Sequence, residues 1–372
     1  MLYPYKFTPI LVERVWGGQA LARFGKPVPA DKRIGESWEI SDRDDAQSVI
    51  ANGPDKGRTL RQQIEAHGKD LLGTNSAQVP RCPSASGSES ASTASLQHST
   101  TPSLRFPLLI KLLDCRERLS LQVHPPAGIA ARLGGEPKTE MWYALEADND
   151  AHLIAGLRRG VTGADFIRAL EATQRPSVAD GKTDDATGTV GSVVRIEDCV
   201  HRFPVTKGDV FFVPSGRLHA IDAGVVLVEI QQNSDTTYRA YDWGRTGLDG
   251  KPRPLHVQES LACIDFQDFE PKREMPRVED KSGNGLWRLV ECGHFCVHKL
   301  ELCNAWLNHC DGSTFHILAC LSGRVGLLTA DGKEERLGVG EFVVLPATLG
   351  HYTLAPLAEN THALRVFVPP RQ

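Results

Sequence analysis

Several features are missing from this sequence, and each absence narrows the possibilities. The nine cysteines form no CxxC pair and are odd in number, so neither a disulfide framework nor a paired-cysteine zinc module is legible. Reduced thiols in a cytoplasmic protein are the expectation. No uncharged apolar run approaches the length of about 18 residues that a membrane span needs, and the opening MLYPYKFTPILVERVWGG has charge where a signal peptide keeps an apolar centre. A soluble, unsecreted protein without a membrane partner is therefore expected. Charge of one sign is also lacking: 42 Lys plus Arg stand against 46 Asp plus Glu, a net charge of −4, and the pI is ≈ 6.4. No basic footprint for nucleic acid is present.

What is present suits a folded chain of two or three domains, with 372 residues, 41% hydrophobic and 24% charged. Thirty-four Gly and 23 Pro punctuate short apolar runs such as Val210–Val213, Val225–Ile230 and Phe342–Leu345, which read as strands. The chain reads as mainly β. Helical period is confined to a few stretches, among them Thr59–Leu72 and Thr162–Ala172, where Thr162 is placed to cap a helix with Asp165 at its third position. Two stretches break the pattern: Arg81–Ser103 is dominated by Ser, Thr, Ala and Pro, and Arg175–Gly191 is a weaker case. Both read as insertions with too little apolar content to order themselves, and neither reads as carrying chemistry.

An internal repeat defines the architecture. Gly208–Asp209–Val210–Phe211–Phe212–Val213–Pro214 runs on to His219, and Gly340–Glu341–Phe342–Val343–Val344–Leu345–Pro346 runs on to His351, at the same offsets. Turn glycine, acidic residue, buried strand, Pro-led loop and His together resemble the second sequence element of a cupin, a small jelly-roll barrel. Two copies predict two cupin-type jelly-roll barrels with a few accessory helices. The expected division is 1–260, with accessory helices and the insertion 81–103, and 261–372.

Chemistry-bearing residues gather in the first of these. In Leu121–Gln122–Val123–His124, alternation puts Gln122 and His124 on one strand face and the two apolar residues on the other. Glu140 heads a strand in KTEMWYAL, and His219 follows the Pro214 loop. Gln122, His124, Glu140 and His219 form an oxygen and nitrogen set suited to Zn²⁺ with a position left open for substrate. Further on, VEIQQNSDTTYRAYDW sets Glu229 and Gln231 on one face and presents Asp235 and Arg239 towards the same mouth. Glu229 is placed to act as a general base, with a structural carboxylate paired to a core arginine as the alternative.

These stretches, with PILVERVWGG, IGESWEISDR, SVIANGPDKGRTL, FPLLIKLLDCRERLSLQVHPP, KTEMWYALEADNDAHLIAGLRRGVT and KGDVFFVPSGRLHAI, resemble the type I mannose-6-phosphate isomerases over essentially the whole chain apart from the two insertions. The length resembles the shorter bacterial form. The resemblance implies interconversion of mannose 6-phosphate and fructose 6-phosphate through a cis-enediol, with one zinc ion per chain on Gln122, His124, Glu140 and His219. It further implies a catalytic Arg239, substrate or phosphate contacts at Lys111 and Lys138, and acid/base work at Glu229 or Asp235. For ring opening, Asp235 and His124 both remain open.

The second copy keeps His351 and sets His316 where the first has Glu140, but no counterpart of the QxH pair is legible, so one metal site per chain is expected. Cys292, His294, Cys296 and His298 read as alternating along one strand face, in a spacing that fits no usual zinc module. Three rivals remain. An Fe(II) oxygenase is disfavoured by Gln122 as a fourth ligand, and a non-catalytic sugar-phosphate-binding cupin by the intact Lys111, Lys138, Glu229 and Arg239. The third is a metal cupin acting on another sugar. No oligomer interface is legible.

Overall fold

The computed structural model describes residues 2–76, 104–174, 195–281 and 283–370. The expected insertions 81–103 and 175–191 lie outside the described residues. The fold is mainly β with a few helices, as the sequence implies.

The N-terminal part is built from two facing antiparallel sheets. The six-stranded sheet runs in space as Val210–Val213, Glu140–Ala147, Val225–Gln232, Leu108–Cys115, Ile34–Ile40 and Ile10–Gly18. The five-stranded sheet runs as Tyr238–Tyr241, Leu121–Val123, His219–Ile221, His152–Leu157 and Val200–Pro204. Leu113, Ala144 and Leu227 from the first sheet meet Leu153, Phe203 and Ile221 from the second, closing one core between them. Because successive side chains alternate in direction, the intervening residues of the six-stranded sheet need a second apolar neighbour. They find it in another sheet: Ile110, Leu112, Met141, Val228 and Ile230 share a core with Ile317, Ala319, Val344, Leu364 and Val366. Burial on both faces is why LLIKLLDC reads as an almost continuous apolar run.

The C-terminal part repeats the plan. Arg277–Lys281, Asn284–Glu291, Cys296–Leu302, Thr361–Phe367, His316–Ser322 and Phe342–Leu345 form six strands, facing a sheet of Trp306–Cys310, Gly350–Pro356, Val325–Thr329 and Glu334–Leu337. Leu300, Leu318, Val343, Val325, Leu337 and Leu354 fill the space between. The helices follow their caps. Leu60–His67 starts at Thr59, whose side chain accepts from Gln62 N while the Gln62 side chain accepts from Thr59 N. Thr162 Oγ1 accepts from Asp165 N at 3.1 Å and Asp165 Oδ2 accepts from Thr162 N at 2.8 Å, which opens Gly163–Gln174.

Register makes the repeat concrete and corrects two expectations. Glu140 pairs with Val213 and His316 pairs with Leu345, each just before the loop proline. His219 pairs with Gln122, and His351 pairs with His309. By register the QxH pair therefore has a counterpart, His309 and Asp311; it is invisible in sequence because its residue types differ. The expected alternation of Cys292 to His298 along one strand is also not observed. Glu291 ends one strand and Cys296 begins the next, with Cys292 N donating to Phe295 O at 3.0 Å across the turn between them.

Candidate metal centre

Three strands, with His124 immediately after the first, bring the expected ligands together. Strand alternation buries Leu121 and Val123 in the core beneath the five-stranded sheet, which turns Gln122 and His124 to the opposite side. His219 opens the neighbouring strand directly opposite Gln122, and Glu140 opens its strand in the facing sheet. His124 Nε2 stands 3.4 Å from Glu140 Oε2, and His219 Nε2 stands 3.5 Å from Glu140 Oε1. The three side chains are buried, and one ligand atom from each lies within 4.8 Å of the others.

Hydrogen bonding fixes which ring nitrogen faces inward. His124 Nδ1 donates to the Thr236 carbonyl at 2.8 Å, and His219 Nδ1 donates to the Arg217 carbonyl at 2.8 Å. Each Nε2 is left as a lone pair. Burial, then Lys138, lowers the pKa of His124; burial, then His124, lowers that of His219 to about 3. Burial raises that of Glu140, but Lys138 and the two imidazoles outweigh it and hold the carboxyl well below its usual range. Two neutral imidazoles and a carboxylate thus direct lone pairs at one another, with no proton between them. His124 Nε2 and both Glu140 oxygens lack a hydrogen-bond partner. Lys138 Nζ, 2.7 Å from Glu140 Oε2, offsets the carboxylate charge from one side, but His124 Nε2 facing it has no donor or cation to bind among the described residues, and the donor set is one that Zn²⁺ favours. Gln122 is placed less directly. Its amide nitrogen donates to His219 Nε2 at 3.3 Å while its oxygen accepts from Ser120 Oγ at 3.1 Å, so ligation through oxygen requires the amide to turn over.

Around the triad, charges alternate in sign across the six-stranded sheet. Lys138 Nζ lies 2.7 Å from Glu140 and 4.0 Å from Glu229. Lys111 Nζ lies 3.4 Å from Glu229, 3.6 Å from Asp235 and 3.7 Å from Glu36. Arg14 then grips Glu36, Nε to Oε1 at 2.8 Å and Nη2 to Oε2 at 3.2 Å. Trp142 Nε1 donates to Glu229 at 3.2 Å, and Trp38 Nε1 donates to Glu36 at 2.6 Å, with the Lys111 ammonium 4.9 Å from the Trp38 ring centre. Burial raises the pKa of Glu229 to about 7; Lys138 and Lys111 oppose that rise, and Glu140 and Glu36 add to it. Burial would lower the pKa of Lys111, but Glu36, Glu229 and Asp235 overcome it and raise the value. Arg239 sits on Tyr238–Tyr241 opposite Gln122; its Nη1 donates to the Pro254 carbonyl at 2.8 Å and its Nε is buried without a partner.

The structure therefore brings His124, Glu140 and His219 into one cluster with Gln122 beside it. Lys138, Glu229, Lys111 and Asp235 continue from it in a chain of ion pairs, and Arg239 belongs to the strand next to Gln122. Glu36, Trp38 and Arg14 complete the charged row and were not singled out from sequence. Their motifs were visible in GESWE and ERVWGG, but their chemistry depends on which strands lie side by side.

Paired antiparallel sheets of this kind define the cupin class of folds, and the buried triad of His124, Glu140 and His219 is a group that could hold a metal ion. No family model matches the chain. It is 32% identical over 358 residues to the mannose-6-phosphate isomerase ManA of Bacillus subtilis, spanning 96% of this chain and 97% of that protein. It is 30% identical to the mannose-6-phosphate isomerase of Streptococcus mutans serotype c, spanning 91% and 90% of the two chains. The crystal structure of the mannose 6-phosphate isomerase from Bacillus subtilis matches with a TM-score of 0.77 and 28% identity, covering 98% of this chain and 99% of that one. The chain belongs to the mannose-6-phosphate isomerase family.

Proposed function

We propose that the chain is a zinc-dependent aldose–ketose isomerase that interconverts mannose 6-phosphate and fructose 6-phosphate through a cis-enediol. The observation that carries this reading is the buried triad of His124, Glu140 and His219, whose lone pairs converge without a proton to share. One zinc ion per chain, held by these three and by Gln122, would supply Lewis-acid polarisation of the substrate's oxygens. Glu229 takes the proton from C2 and returns it to C1; its pKa near 7 suits a base working at neutral pH. Asp235, which is partly exposed beside Lys111, is the second carboxylate within reach and serves ring opening. Lys111, Lys138 and Arg239 place positive charge where O1 and O2 become negative in the enediol, so they stabilise the transition state more than the bound sugar.

Arg14, Lys111, Lys138 and Arg239 balance Glu36, Glu140, Glu229 and Asp235. A divalent cation then leaves two positive charges, which suits a phosphate dianion despite the net −4 of the whole chain. We read residues 1–260 as the catalytic unit and 261–372 as a second unit without a metal of its own. The eight cysteines among the described residues are free and no helix there is long and apolar enough to cross a membrane, which supports a cytoplasmic setting.

The test is a coupled assay for fructose 6-phosphate formed from mannose 6-phosphate, before and after chelation and zinc addition. Turnover lost with chelator and regained with zinc is the expected result. Folded, zinc-loaded protein without turnover would send the search to another sugar.

A further inference from the structure

A hexose 6-phosphate carries a dianion into the site, yet the two lysines expected to receive it are already engaged. Lys111 is buried among Glu229, Asp235 and Glu36 at 3.4, 3.6 and 3.7 Å, and Lys138 is buried 2.7 Å from Glu140. An ammonium that is both buried and surrounded by carboxylates is a poor seat for a further anion. Arg14 also has carboxylate neighbours, in Glu36, Asp235 and Glu229, and what sets it apart is that it is not buried. Exposure changes at the outer end of the row: the Arg14 side chain is 33% exposed and, beside Lys111, that of Asp235 is 43%, whereas Glu36 is at 9% and Lys111, Glu229 and Lys138 at 4–5%; Arg14 is the exposed cation of the row. Arg14 is also built into place. Both Glu36 oxygens accept from its Nε and Nη2, leaving Nη1 without a partner among the described residues. A Cβ at Gly35 would come within 2.6 Å of Arg14 Cβ and 2.8 Å of its Cγ, so only glycine there lets the Arg14 stem lie where it does. Trp38 Nε1, donating to Glu36 at 2.6 Å, fixes the carboxylate that aims the guanidinium.

We propose that Arg14, aimed by Glu36 and admitted by Gly35, recognises the phosphate of the substrate. The proposal rests on the isomerase reading above. An open-chain hexose phosphate lying along the row has its C1–C2 end at the triad and its phosphate at the Arg14 end. The free Nη1 and the planar fork suit a phosphate oxygen better than a buried lysine does. Burial chiefly lowers the pKa of Arg239, and the Arg14 charge adds a smaller push in the same direction; a dianion bound at Arg14 weakens that repulsion.

The experiment compares the wild type with Arg14→Ala and Arg14→Lys, measuring KM and kcat for mannose 6-phosphate and, by calorimetry, the affinity for inorganic phosphate. Arg14→Ala is expected to raise KM and weaken phosphate binding by about 30-fold each, with kcat within about threefold of wild type. Arg14→Lys keeps a partner for Glu36, and so the fold, but lacks the fork; it should fall in between. Unchanged phosphate affinity in both variants, or a loss confined to kcat, overturns the assignment. Phosphate binding reads out whether or not the protein turns over, so failure of the isomerase reading and failure of the Arg14 assignment are separate results.

Discussion

Glu229 is a buried carboxylate flanked by two ammonium groups, yet burial and its acidic neighbours win and raise its pKa to about 7. Only the ionised form accepts a proton, so kcat/KM, which reports the free enzyme, should fall about tenfold per unit as pH drops below about 7. Glu229→Gln should retain zinc and substrate while turnover and exchange of the C2 proton with deuterated solvent fall by about 10²–10⁴-fold. Near-normal exchange, followed by NMR, would move the base to another residue. The same shift has a stability consequence of known sign. A folded-state pKa above the ordinary 4.5 means that the folded form holds this proton more tightly. The associated stability is complete below about 4.5 and lost as pH rises through about 7. In zinc-free protein, Glu229→Gln should therefore raise Tm at pH 8 and leave it nearly unchanged at pH 4.5. Gln122, His124 and Glu229 were legible because each owes its direction to alternation within its own strand. Glu36 and Arg14 were not, because their roles come from the Ile34–Ile40 strand lying between the Ile10–Gly18 and Leu108–Cys115 strands, and no local pattern encodes that neighbourhood.

At the level of elements, the repeat of turn glycine, strand, proline and histidine was legible because its backbone demands are local. Gly208 and Gly340 both have positive φ, 90° and 80°, and both donate to the preceding strand of their sheet, at Ala144 O and Cys320 O. Their surroundings differ. A Cβ at Gly208 meets nothing closer than Tyr143 Oη at 3.9 Å, whereas one at Gly340 would meet Phe24 Cβ at 2.7 Å and its carbonyl oxygen at 2.8 Å. Gly208→Ala should cost about 1 kcal/mol from conformation alone, and Gly340→Ala about 2–4 kcal/mol once overpacking is added. Urea unfolding midpoints would check the order; equal costs would mean that the Phe24 segment yields freely. Sequence was silent on the His309 and Asp311 counterpart because register relates positions and not residue types. Those positions are occupied otherwise: Asp311 Oδ1 accepts from Ser313 N at 2.9 Å, His316 Nδ1 bonds the Tyr352 hydroxyl at 2.8 Å, and His309 stacks on His351 with ring centres 4.3 Å apart. Elemental analysis should accordingly find one zinc per chain, lost in His219→Ala and kept in His351→Ala.

Across the whole molecule, the two six-stranded sheets share one core, and the N-terminal segment ties them further by a Tyr5–Val344 bridge. Neither half can expose its share of that core without stranding the other, so a single cooperative unfolding transition follows, although the sequence divides at two repeats. A buried ion pair lies at this junction. Lys26 Nζ donates to Glu39 Oε2 and to the Gly340 carbonyl, both at 2.7 Å, and Ser37 Oγ donates to Glu39 Oε1 at 2.6 Å. Burial raises the pKa of Glu39 even though Lys26 opposes it, so the cost of taking this carboxylate out of water outweighs the attraction of its partner. Replacing both partners with uncharged residues should then cost little, while removing one leaves a charge without its counterpart. Lys26→Met is expected to lose about 3–5 kcal/mol. The lower end of that range is favoured, because a cavity of about 410 Å³ lined by Lys26, Glu39, Arg336 and Phe342 admits water to the stranded carboxylate. Lys26→Met/Glu39→Gln should recover to within about 1 kcal/mol of wild type in denaturant titrations at pH 7. If the double variant were as unstable as the single one, the loss would come from packing of the lysine stem against Phe342, 5.7 Å from its ammonium, and the charge argument would fail.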